Sequence, residues 1–152
     1  MKVYFLRHGA ADWPEWNKPD DERPLTKSGR KEMKRVAKFL RKLDPEISVI
    51  LSSPLPRARQ TAEIVAKCLE IDLEEEPSLR KGFNAATLRK LSGRRKRGNI
   101  MLVGHEPDFS RTIRELTGAK LKLAKAGLAL VDCPNATSSQ LLWLISPRIA
   151  KL

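Results

Sequence analysis

Histidine, cysteine and aromatic residues are scarce in this chain: its 152 residues include two His and two Cys, and Phe, Trp and Tyr together make up 5%. Cys68 and Cys133 lie far apart with no CxxC or Cys/His spacing, which leaves no basis for a zinc scaffold or a disulfide framework. Both are expected to be core or surface thiols, and no metal or cofactor is expected. No apolar run approaches the roughly 20 residues of a spanning helix. The opening Met1, Lys2 and Val3 to Leu6 is too short for a signal peptide. No membrane partner is expected, and the cytoplasm is the expected location.

What the chain does have is a balance of 41% hydrophobic and 32% charged residues, enough to bury a core beneath a charged surface. The length suits one domain spanning residues 1–152. Lys and Arg number 30 against 18 Asp and Glu, and the resulting net charge of +12 favours anionic partners. Lys27, Arg30, Lys31, Lys34, Arg35, Lys38, Arg41 and Lys42 read as the solvated outer face of one helix. A second basic cluster, Arg94, Arg95, Lys96 and Arg97, sits between Gly93 and Gly98 in a turn-like segment that could touch nucleic acid. Without interleaved aromatics to stack on bases, nucleic acid is not the expected partner.

The order of elements follows from periodicity. Val3 to Leu6 reads as a buried strand ending at a polar loop, and Pro14, Pro19 and Pro24 make residues 10–24 a surface loop. Thr26 or Ser28 can cap a helix in which Met33, Val36, Ala37, Leu40 and Leu43 recur at three- and four-residue steps. Ile47 to Leu51 reads as a second strand, followed by a helix with Ala58, Ala62, Val65 and Leu69 on one face. Ile71 to Leu73 suits a brief strand and Leu79 to Leu91 an irregular or partly helical connection. Ile100 to Val103 is a further strand, before a helix capped by Asp108, carrying Phe109, Ile113 and Leu116, and closed by Gly118. Leu128 to Val131 and Leu141 to Ile145 suit an antiparallel pair at or near a sheet edge. The alternation predicts an α/β three-layer sandwich: a mostly parallel central sheet, one antiparallel edge strand, and helices on both faces.

Both histidines follow an apolar run, in Phe5-Leu6-Arg7-His8-Gly9 and in Leu102-Val103-Gly104-His105-Glu106. The carboxyl ends of parallel strands share one edge, where ligands bind, so the two imidazoles can meet there. Arg57, beyond a third strand and Ser52-Ser53-Pro54, reaches the same edge at a helix start. Imidazoles ringed by guanidinium groups suit a phosphoryl group, whose oxygens match the guanidinium fork. Nearby cations disfavour protonation of His8, keeping it nucleophilic. A backbone carbonyl accepting from Nδ1–H, in the Gly9 turn, would leave Nε2 free to attack, and Gly9 is expected to permit a tight turn. Gln60 and Thr61 are expected to settle a helix start.

These residues resemble the histidine phosphatase superfamily, whose Arg-His-Gly hallmark stands here as Arg7-His8-Gly9. The resemblance extends through Arg23-Pro24-Leu25-Thr26 with Gly29, then Ser52-Ser53-Pro54 leading to Arg57-Ala58-Arg59-Gln60-Thr61-Ala62, then Val103-Gly104-His105-Glu106-Pro107. Length and the Arg-Pro-Leu-Thr block are most similar to the short SixA-type phosphohistidine phosphatases, which implies a compact fold without a large cap domain. The resemblance makes His8 the phosphate acceptor, with Arg7, Arg57 and His105 completing the phosphate pocket and Arg23 adding a fourth cation. It implies phosphatase activity through a phosphohistidine intermediate, without metal, on a phosphorylated protein partner or, alternatively, on small phosphorylated metabolites. A nonenzymatic phosphate- or RNA-binding module is the rival of another class. Mutase-like members use a glutamate before the second histidine, but residues 79–91 hold no acid. Glu106 is one expected proton donor, and Asp12 and Asp21 are the others.

Overall fold

The computed structural model describes residues 1–94, 98–135 and 138–152. Six strands form one sheet: β1 (Lys2–Arg7), β2 (Ile47–Ser52), β3 (Asp72–Glu75), β4 (Asn99–Gly104), β5 (Leu128–Asn135) and β6 (Ser138–Ile145), in the order β3-β2-β4-β1-β5-β6. β1 to β4 run parallel, and β5 pairs antiparallel with both β1 and β6. The reversed strand thus lies one place in from the edge, within the antiparallel pair expected there.

Side chains alternate across a strand, so each central strand feeds two cores. From β1, Tyr4 and Leu6 join Met33, Val36, Ala37 and Leu40 of α1 (Lys27–Leu43) and Ala58, Ala62 and Val65 of α2 (Pro56–Leu69). Val3 and Phe5 face the other way, against Leu88 and Leu91 of α3 (Ala85–Arg94) and Phe109 and Ile113 of α4 (Asp108–Thr117). The Phe5 and Phe109 rings meet edge to face with centroids 5.2 Å apart, a favourable aromatic geometry. The result is the three-layer sandwich read from the sequence.

Particular assignments differ. The connection over residues 79–91 is partly helical as read, but its helix, α3, runs on to Arg94, a residue read as turn-like; it is capped where Asn84 Oδ1 accepts from Thr87 N–H at 2.9 Å. Leu43 is exposed rather than packed, at the last residue of α1 before the chain turns left-handed at Asp44. Asp108 is the first residue of α4 rather than its cap, with Oδ2 accepting from Gly82 N–H at 2.8 Å. Thr26 caps α1, its Oγ1 accepting from Gly29 N–H at 3.0 Å. The basic residues of α1 are solvent-facing, with Arg35 half-buried. Of the second basic cluster only Arg94 is described; Arg95, Lys96 and Arg97 lie outside the described residues.

Candidate active site

Sheet register alone brings the key residues together. Arg7 pairs with Gly104, so His8 and His105 leave adjacent strands side by side, and His8 N–H donates to the Gly104 carbonyl at 3.1 Å. Their ring centroids are 5.3 Å apart. On the other flank of β4, Ser52 pairs with Val103, and Ser53 N–H donates to the Val103 carbonyl at 3.0 Å. Ser53 therefore sits against His105, with its Oγ 2.8 Å from Nε2. Arg57 enters from the first turn of α2.

A carbonyl can only accept, so the 2.7 Å contact between His8 Nδ1 and the Gly9 carbonyl fixes the proton on Nδ1 and leaves Nε2 with its lone pair. Burial is the main reason that the His8 pKa falls to about 3, with His105, Arg57 and Arg7 adding to the fall against the Gly9 hydrogen bond. Burial likewise takes His105 to about 4, aided by Arg57 and opposed by Asp108 and Asp21. Both rings are neutral at physiological pH. Burial and the neighbouring Arg23 push the Arg57 guanidinium below its ordinary value, while Asp20 and Asp21 oppose the change.

Among the described residues, the buried side-chain nitrogens without a hydrogen-bond partner are Arg7 Nε, Arg57 Nε and His105 Nδ1. Leaving a buried donor unpaired costs about 1–3 kcal/mol, so a cluster of them marks a place built for an acceptor. The rest of the Arg7 side chain is anchored, with one terminal N–H donating to the Leu123 carbonyl at 2.9 Å. These donors suit an anion rich in oxygens.

Arg23 is tied to this cluster through Asp20. Arg23 Nε donates to Asp20 Oδ1 at 2.7 Å, and Arg57 reaches the other Asp20 oxygen at 3.8 Å and the Asp20 carbonyl at 3.2 Å. Asp20 belongs to a 3₁₀ turn, Asp20–Glu22, of the loop before α1.

The expected proton donors are otherwise engaged. Glu106 accepts from Ser110 N–H at 2.7 Å through one oxygen and from Leu123 N–H at 3.1 Å through the other. It thereby clamps the start of α4 to the strap that anchors Arg7, a bracing task. The ion pair with Lys125 holds Asp12 below the usual carboxylate range, and Arg80 does the same for Asp21.

Gly9 also serves a different need from the one expected. Its φ is not positive; instead a Cβ there would lie 2.9 Å from Met33 Cγ, so the constraint is the close approach of α1. Sequence reasoning gave no site task to Ser53, Thr61 or Gln60. Thr61 Oγ1 accepts from Gly9 N–H at 3.0 Å and donates to the Arg57 carbonyl at 2.7 Å, bracing both residues. Gln60 Oε1 accepts from Leu25 N–H at 2.8 Å, pinning the far end of the loop. The signal for all of them was their place beside Arg57 at the same sheet edge.

An α/β sheet whose strand ends gather neutral imidazoles and guanidinium groups defines an oxyanion-handling site. The Histidine phosphatase superfamily (branch 1) model matches residues 3–82. An uncharacterized protein of Picosynechococcus sp. is 35% identical over 97% of this chain and 98% of its own. The phosphohistidine phosphatase SixA of Escherichia coli is 28% identical over 97% of this chain and 94% of its own. Among solved structures, the protein histidine phosphatase SixA complexed with tungstate superposes with a TM-score of 0.86 at 27% identity, covering 98% of this chain and 99% of that one. The chain belongs to the histidine phosphatase superfamily.

Proposed function

We propose that the protein removes the phosphoryl group from phosphohistidine on a protein partner, without a metal ion, by way of a phosphorylated His8. In the first step His8 Nε2 forms a bond to phosphorus as the bond from phosphorus to the substrate imidazole breaks. The electron pair leaves with that imidazole, which departs neutral because its other nitrogen carries a proton. Arg7, Arg57, Arg23 and the Nδ1–H of His105 hold the phosphoryl oxygens as charge moves among them. Water then attacks phosphorus, the pair returns to His8 Nε2, Nδ1–H stays on the Gly9 carbonyl, and phosphate leaves with the proton of the water going to solvent.

The observation that carries this reading is the cluster of unpartnered buried donors on Arg7, Arg57 and His105 beside the free Nε2 of His8. The engagement of Glu106, Asp12 and Asp21 favours a phosphoramidate over an ester. An alkoxide leaving group needs a proton delivered to it, whereas a protonated imidazole brings its own. The likeness to SixA agrees with that choice.

The test is hydrolysis of a phosphohistidine peptide and of phosphoserine in excess chelator. Phosphohistidine is expected to be cleaved at an undiminished rate, phosphoserine at least about a hundredfold more slowly, and neither by His8→Ala. Loss of activity on chelation, or faster turnover of the ester, would overturn the proposal.

A further inference from the structure

Two of the three tryptophans in the chain, Trp13 and Trp16, stand in one turn of the loop before α1, beside the site and not in the core. Their rings lie 6.1 Å apart at an angle of 38°, and Trp13 is 40% exposed. Exposed indoles normally cost solubility without return, yet these are held in place. Trp13 Nε1–H donates to the Pro24 carbonyl at 2.9 Å and Trp16 Nε1–H to the Pro19 carbonyl at 3.0 Å. The turn between them is closed by Trp16 N–H on the Trp13 carbonyl at 3.1 Å. Pro14, Pro19 and Pro24 stiffen the backbone around both.

The shelf is continuous with the phosphate clamp. A cavity of about 570 Å³, open to solvent, is lined by Asp12, Trp13, Trp16, Lys18, Asp20 and Arg23, and Asp20 is the residue that joins Arg23 to Arg57. A second hollow of about 440 Å³ runs over Trp13, Pro14, Glu15 and Trp16. Pockets for small metabolites enclose most of the ligand surface. This rim is open, charged on the side of Asp20 and Arg23 and mainly apolar over Trp13, Pro14 and Trp16, with rigid tryptophans of the kind that dominate protein interfaces.

We propose that Trp13 and Trp16 receive apolar side chains flanking the phosphohistidine of the protein substrate, a role that rests on the phosphohistidine phosphatase function proposed above. The reacting phosphorus seats on the cations while the neighbouring residues of the partner lie across the indoles. Because the rings are already ordered, little freedom is lost when the partner binds. The shelf then selects among phosphohistidine proteins by sequence around the modified residue, acting on capture and not on bond cleavage.

Two synthetic peptides test this, one with leucines on both sides of a single phosphohistidine and one with serines there, together with inorganic phosphoramidate, which has no flanks. The parent protein is expected to favour the leucine peptide by about tenfold in kcat/KM, through KM. The Trp13→Ala/Trp16→Ala double variant should lose that preference while hydrolysing inorganic phosphoramidate at the parent rate. Trp13→Phe/Trp16→Phe, which keeps aromatic rings without the Nε1–H anchors, should keep part of it, between the parent and the double alanine variant. Equal use of the two peptides by the parent, or a preference that survives in the double alanine variant, overturns the shelf and leaves the phosphatase reading standing. Failure to cleave any of the three substrates overturns the phosphatase reading and the shelf with it.

Discussion

Ser53 has one hydroxyl proton, and that sets the orientation of His105. Its oxygen already accepts from Leu55 N–H at 3.2 Å, and His105 Nε2 lies 2.8 Å away. If Nε2 carried the ring proton, the hydroxyl hydrogen would need another acceptor and the buried Nδ1 would present a lone pair to an anion. With the hydroxyl donating to Nε2, the neutral ring keeps its proton on Nδ1, the atom that has no partner of its own. Ser53 is therefore a positioning residue that makes His105 a donor. Ser53→Ala is expected to lower kcat by about ten- to a hundredfold with KM little changed, while Ser53→Thr retains most of the rate. Steady-state kinetics on a phosphohistidine peptide checks it, and an unchanged kcat in Ser53→Ala would deny the serine this role.

At the scale of elements, adjacent parallel strands β1 and β4 set the separation of the histidines, and the helix behind β4 keeps it. Phe109 of α4 stacks under Gly104, where a Cβ would lie 2.8 Å from the ring. Gly104→Ala must push a fully buried ring out of place or tilt the strand end that carries His105. A loss of about 1–3 kcal/mol in stability is expected, with a fall in kcat larger than in a variant destabilised equally elsewhere. Thermal unfolding read beside activity measures both. This element order was readable in the sequence because Val3 to Leu6 and Ile100 to Val103 are continuous apolar runs, and α1 repeats at helical spacing. Helix α3 was legible only in part, because only Leu88 and Leu91 mark its buried side beyond its first residue, Ala85. The histidines, Arg7 and Arg57 stood out by motif and by their place at strand and helix ends. Ser53, Thr61 and Gln60 did not, because a hydroxyl or amide that braces another residue leaves no spacing signal. What Glu106 touches was hidden for a related reason: adjacency to His105 in sequence does not fix which groups a side chain meets, here Ser110 N–H and Leu123 N–H.

For the whole molecule, burying two uncharged imidazoles links folding to pH. His8 and His105 titrate near 3 and 4 in the folded protein, against an ordinary value of 6.5. The unfolded chain thus takes up protons first as the solution is acidified. The stability tied to the neutral rings is complete above about 6.5 and is lost as pH falls from there toward the folded values. The urea midpoint should drop between about pH 7 and pH 4, and drop less in His8→Ala, since each unit of depression corresponds to about 1.4 kcal/mol. Identical pH slopes for the two proteins would show that His8 is not buried neutral. The most direct test of the account as a whole is rapid quenching of the protein with a phosphohistidine peptide carrying radioactive phosphorus. The expected result is a transient, acid-labile and base-stable label on His8 that disappears at the rate of phosphate release and is absent from His8→Ala. Turnover at a normal rate with no labelled protein, or with the label on another residue, would contradict it.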